Sequence, residues 1–187
     1  LGLTPLAGTA VVGTVYASEL MPGTDTGTNA VNRPLEGVTI TVDGMEESLR
    51  TRTDVMGNFK LEPVPPGKFF VHIDGRTAKG STWPAGDYYP TVGKQWEATP
   101  GRVDNLAGGT GQIFLPQIKA GALQTVSATQ DTLISFLPEI VRQNPALAGV
   151  SIIVPANALV SDNGTRGGKV GIAPVPPDRL PGPLPPG

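Results

Sequence analysis

The chain has no cysteine, and its 187 residues include one histidine, His72. The first absence excludes disulfides, zinc–thiolate centres and thiol nucleophiles. The second leaves no pair of imidazoles for a transition-metal site, so His72 reads as an exposed or partly buried strand residue. A serine triad built on His72 would also lack a Gly-x-Ser-x-Gly elbow. Charged residues make up only 16% of the chain and the formal net charge is −2. No basic face is therefore expected for nucleic acid or anionic lipid. No apolar run approaches the ~20 residues that span a bilayer, so membrane insertion is not expected.

Other signals of chemistry are equally sparse. Gly108-Gly109-Thr110-Gly111 lacks the lysine and the following helix of a phosphate-binding loop. The carboxylates are scattered, and the pair that glycoside hydrolysis uses is made in space and not in sequence, so the spacing does not point to one. Asp162, Asn163 and Thr165 offer oxygens, yet one short loop without the EF-hand spacing is better read as a turn than as a calcium site. Asn163-Gly164-Thr165 is also a glycosylation sequon in a eukaryotic secreted chain. No catalytic residue, cofactor or metal is expected. The chain opens at Leu1 without a recognisable leader, as expected of a processed or trimmed chain.

Glycine and proline, 25 and 20 residues, are abundant, and they punctuate short alternating runs. Val38, Ile40 and Val42 alternate with Thr39 and Thr41, the period of a half-buried strand. Asp43-Gly44 supplies a turn. Leu49, Thr51 and Thr53 continue on a second strand. Asp54 is placed to accept from the backbone two residues on, with Gly57 closing the turn. Phe59 and Leu61 share a face of the next strand. Val64-Pro65-Pro66-Gly67 is a rigid corner. Beyond it Phe69, Val71 and Ile73 point one way, Phe70 and His72 the other. With Ala10 to Tyr16 upstream, five strands at roughly ten-residue spacing predict an antiparallel sandwich.

Gly13-Thr14-Val15, Pro34-Leu35-Glu36-Gly37-Val38, Thr53-Asp54 with Gly57 and Phe59, and Val64-Pro65-Pro66-Gly67 together resemble the carboxypeptidase regulatory-like domain. The resemblance covers about residues 9–76. It implies a small transthyretin-like or Ig-like β-sandwich that is non-catalytic and appended to peptidases, surface proteins or transporters. The insert from Ser18 to Arg33 departs from the pattern and reads as a surface loop, tolerated or contacting a partner.

The expected organisation is an N-terminal arm (1–8), the sandwich (9–76) and a Gly/Pro/aromatic connecting loop (77–112). A second, smaller β-rich module (113–173) and a proline-rich extended tail (174–187) complete it. In the connecting loop no regular period survives. Trp83, Tyr88, Tyr89 and Trp96 there either pin the loop to the core or face a protein or sugar ligand. Further on, Gln112–Ile118, Thr125–Ser135, Val150–Val154 and Lys169–Ala173 contain strands, with Val150–Val154 expected to be buried. A short helix is predicted from Leu137 to Asn144, with Ile140 and Val141 inward. The run from Val150 to Leu159 with Asp162-Asn163-Gly164-Thr165 looks like a module found after regulatory-like sandwiches in large bacterial surface proteins. It stops early, so its remaining strands are expected from elsewhere in this chain or from another.

Leu1, Leu3 and Leu6 at one end, and Pro181, Leu184 and Pro186 at the other, are candidate arms for docking on a neighbouring subunit. The function expected is a non-catalytic extracellular or cell-surface structural protein. It would associate with copies of itself or with neighbouring domains in a filament, stalk or matrix. The alternatives are a polysaccharide- or receptor-binding adhesion module and an accessory domain of a larger secreted enzyme.

Overall fold

The computed structural model describes residues 4–19, 32–80, 82–106, 111–161 and 163–181. The chain is mostly β and divides into two compact units. One runs to Gln117 and resumes at Val175; the other is Ile118–Pro174.

In the first unit β1 (Ala10–Ala17), β2 (Thr39–Val42), β3 (Arg50–Arg52), β4 (Asn58–Leu61) and β5 (Gly67–Asp74) follow the predicted runs. β6 (Thr91–Ala98), β7 (Val103–Asn105) and β8 (Gln112–Leu115) follow. One sheet has the order β3-β2-β5-β6 and is antiparallel throughout. The other is centred on β1, which pairs antiparallel with β4 along one edge. Its other edge pairs parallel, first with β7 through Ala10–Val12 and then with β8 through Thr14–Ala17. Inward side chains from both sheets meet in a single hydrophobic cluster. Val11, Val15, Phe59, Leu61, Ile113 and Leu115 come from one sheet, and Ile40, Val42, Phe69, Val71 and Ile73 from the other. Removing one such side chain from water contributes roughly 1.5–3 kcal/mol, which is what makes the alternating pattern decisive.

The sequence signals have physical roles here. The buried Thr53 hydroxyl accepts from Val38 N at 2.9 Å and donates to Leu35 O at 2.5 Å. It thereby joins the Pro34–Val38 lead-in to the Thr53-Asp54 turn. Asp54 Oδ1 accepts from Met56 N and Asn58 N, both at 2.9 Å. Gly57 closes that turn at φ +77°, and a Cβ there would lie 2.4 Å from Val15 O, so only glycine fits.

The connecting loop expected over 77–112 is not a loop throughout. β6 pairs with β5 over eight residues, from Gly67↔Ala98 to Asp74↔Thr91, and β7 pairs with β1. The period was hidden because the inward positions of β6 are Val92, Lys94, Trp96 and Ala98. A lysine stands where an apolar residue would complete the alternation. Its ammonium lies 5.7 Å from the centre of the Trp96 ring, and burial lowers its pKa. β8 belongs to this unit and not to the second module, because its partner is β1. The start of the tail belongs here too. Arg179 is buried, with its guanidinium 5.1 Å from the centre of the Phe114 ring and Nη1 3.5 Å from Ala17 O.

The second unit holds two small antiparallel sheets. β9 (Gln124–Val126) pairs with β12 (Gly168–Val170), and β10 (Thr132–Ser135) with β11 (Ser151–Val154). A short helix, α1 (Pro138–Gln143), lies between β10 and β11. Ile140 and Val141, expected inward on it, are only half-buried. The buried hydrophobic side chains described in this unit are Val126 and Ile134. Val150–Val154, expected to be a buried strand, is instead largely exposed: Val150, Ile152 and Ile153 are 48%, 48% and 65% accessible. An apolar run by itself does not say which neighbours cover it.

Replacing Thr53 by valine keeps the shape and deletes both hydrogen bonds, leaving a buried N–H and C=O unpaired. The expected loss is about 1–3 kcal/mol, read as a lower urea midpoint at unchanged slope.

Candidate functional site

The candidate aromatics do not share one surface. Tyr89 is fully buried and offers no ring face to a ligand. Trp83 is half-buried and meets Tyr89 edge-on, ring centres 5.1 Å apart at 89°. Trp96 is half-buried on β6 and packs against the hydrophobic cluster. Tyr88 is half-buried. Two of the four therefore act as pegs at one place, the outcome favoured when aromatics sit among glycines and prolines.

That place is built by residues the sequence reading did not single out. Glu19 and Arg33 stand near the two ends of the long insert, of which residues 20–31 lie outside the described residues. Arg33 Nη2 is ion-paired with Glu19 Oε1 and donates to the Tyr89 hydroxyl at 2.6 Å, while that hydroxyl donates to Glu19 Oε1 at 2.5 Å. The Arg33 guanidinium lies 5.9 Å from the centre of the Trp83 ring. The cluster closes the base of the insert and anchors it to the segment before β6. Its charges are partly withdrawn from water, a cost offset only by such mutual pairing. Burial, then the hydrogen bond to Glu19, raises the Tyr89 pKa far above its ordinary value of 10.0. Its only early signal is a glutamate and an arginine flanking a loop, which nothing local connects to a tyrosine some seventy residues away.

Of the candidate arms, Leu1, Leu3, Leu184 and Pro186 lie outside the described residues. Leu6 is 42% exposed, and its N–H donates to Val64 O at 3.1 Å. Pro181 is half-buried. Where they are described, both ends run along their own unit. Asp162 also lies outside the described residues; beside it Asn163 Oδ1 accepts from Thr165 N at 3.0 Å, which is turn chemistry.

His72 is a half-buried residue of β5, as the sequence suggests, and it has acidic neighbours. Its Nε2 is 2.9 Å from Asp43 Oδ1, and Glu46 completes a group whose ligand atoms all lie within 4.8 Å of one another. It is the one group of three His, Asp or Glu side chains among the described residues that could hold a metal ion.

The chain matches no protein-family model and no curated protein.

The raised Tyr89 pKa has a definite sign. The fold favours the neutral phenol, so its contribution to stability is complete below pH 10.0, the ordinary value, and is lost as the pH rises above it. The melting temperature is expected to fall more steeply above that pH in the native chain than in Tyr89→Phe. At neutral pH Tyr89→Phe costs about 1–3 kcal/mol, because Glu19 and Arg33 lose a buried partner. Parallel thermal melts and phenolate absorbance across pH 8–12 (the range in which phenols titrate) check both.

Proposed function

We propose that this chain is a non-catalytic structural protein of the cell surface, whose β-rich units associate with copies of itself or with neighbouring domains. The observation that carries this reading is the β10–β11 pair. Cross-strand partners share a face, so Leu133 and Ile153 lie together on one face and Ile134 and Ile152 on the other. Leu133 and Ile153 are 59% and 65% exposed. A two-stranded pair that no further strand joins among the described residues, with two exposed apolar side chains on one face, is marginal in water by itself and invites strand addition or packing by a partner. We read the first unit as an Ig-like or transthyretin-like sandwich of the carboxypeptidase regulatory-like kind. Its single cluster fed by two sheets and the Thr53–Val38 linkage support that. An extracellular location accords with the resemblance.

A second reading, a polysaccharide-binding module, draws support from a cavity of about 310 Å³ lined by Lys68, Gln95, Trp96 and Glu97. If sugars are the ligand, Gln95→Ala abolishes glycan binding while leaving the melting temperature in place.

Light scattering across a concentration series tests the first reading. The native chain should exceed its 19.3 kDa monomer mass, and Ile153→Lys, whose side chain is exposed, should return it to monomer without lowering the melting temperature. A native chain that stays monomeric throughout overturns self-association. Deleting residues 174–187 is the poorer test, because it also removes the buried Arg179.

A further inference from the structure

We propose that Asp43, Glu46 and His72 form a surface site for a divalent transition-metal ion of the zinc class. The three come from two segments that the fold brings together. Asp43 and Glu46 lie in the turn after β2, and His72 lies on β5, where it pairs with Thr41 of β2. The turn is held at both ends. Asp43 N donates to Phe70 O at 2.9 Å and Met45 N to Val42 O at 3.0 Å. Glu46 Oε1 accepts from Gly44 N at 2.8 Å, so its carboxylate folds back over the turn toward Asp43.

The imidazole is also positioned. The Phe70 ring lies edge-on to His72, centres 5.3 Å apart at 66°. Phe70 can lie there because Gly93, the residue opposite His72 on β6, has no side chain: a Cβ there would fall 2.4 Å from the Phe70 ring. Glycine at that position of an otherwise regular strand thus leaves room for the ring that orients His72.

The donor set decides the ion. Two carboxylates alone would suit a hard cation, but an imidazole nitrogen is a poor ligand for calcium or magnesium. Imidazole with carboxylate suits zinc, cobalt, nickel or copper. Around zinc at ordinary bond lengths, ligand atoms stand about 3.4 Å apart. The present spread, up to 4.8 Å, closes to that by small rotations of two exposed carboxylates. Three ligands leave at least one coordination position outward, for water or for a ligand from another molecule.

Because His72 is the chain's one histidine, the test is unambiguous on an untagged chain. Zn²⁺ is titrated calorimetrically and, in parallel, against the ¹⁵N resonances of the imidazole. The expected result is saturable one-to-one binding in the micromolar range, with a shift of the His72 nitrogen signals. Binding should be lost in His72→Gln and weakened at least about tenfold in Glu46→Gln and in Asp43→Asn. The melting temperatures of Asp43→Asn and Glu46→Gln without zinc should match the native chain, since those side chains are exposed, and His72→Gln, half-buried, should stay within a few degrees of it. A parallel Ca²⁺ titration should leave the imidazole signals unmoved. Undiminished binding in His72→Gln, or no movement of its signals at millimolar zinc, overturns the site. Full affinity in Glu46→Gln also overturns it, since the ion would then be held by a histidine–aspartate pair alone.

Discussion

Strand β1 is the constraint on which the first unit depends. It is hydrogen-bonded along both edges, to β4 on one side and to β7 and β8 in succession on the other. Parallel partners cannot be reached by a tight turn; they need a long crossover. Here the crossover from Ala17 to Val103 contains the whole of the other sheet. Of the intervening strands β4 joins the sheet of β1, while β2, β3, β5 and β6 form the other sheet, and Val11 and Val15 share one hydrophobic cluster with Ile40 and Val71. The register of β1 thus secures the sheet, and the shared hydrophobic cluster joins it to the other.

Polar groups then close what the apolar core leaves open. Glu19, Arg33 and Tyr89 tie the base of the insert to the segment entering β6, and Arg179 brings the start of the proline-rich segment back to Phe114 and Ala17. Such buried charges are poor sources of net stability but strong sources of specificity, since a misplaced partner leaves a desolvated charge. The Asp43–Glu46–His72 group sits on the opposite kind of ground, with both carboxylates exposed and the imidazole half-buried at the surface. Its geometry comes from a short turn and a glycine-backed phenylalanine rather than from burial.

The second unit follows different physics. With Val126 and Ile134 as its buried hydrophobic side chains among the described residues, it has little apolar burial to offset the entropy of ordering its backbone. Its exposed Leu133 and Ile153, which share one face of the β10–β11 pair, are the surface such a unit would bury on meeting a partner. This underlies the structural reading of the chain.

Residues 9–76 were legible because every signal in them is local. Alternation at Val38–Val42 and Phe69–Ile73, turn chemistry at Asp54 and Gly57, and the proline corner before β5 each act within a few residues. What failed were statements about neighbours. Lys94 masked the period of β6, so an eight-residue strand was read as loop. Ile152 and Ile153 carry the apolar pattern of a buried strand, yet no layer among the described residues covers them. Glu19 with Tyr89, and Asp43 and Glu46 with His72, are joined only by register and crossover.

The sequence by itself determined the β character, the places of the early strands and turns, and the impossibility of thiol chemistry. These depend on side-chain period, backbone sterics and composition, which each residue carries with it. Tertiary structure decided which strands share a sheet, which aromatics are buried, and which carboxylates face the single imidazole. Those depend on pairings across dozens of residues, where the free energy of a contact exists only once both partners are in place.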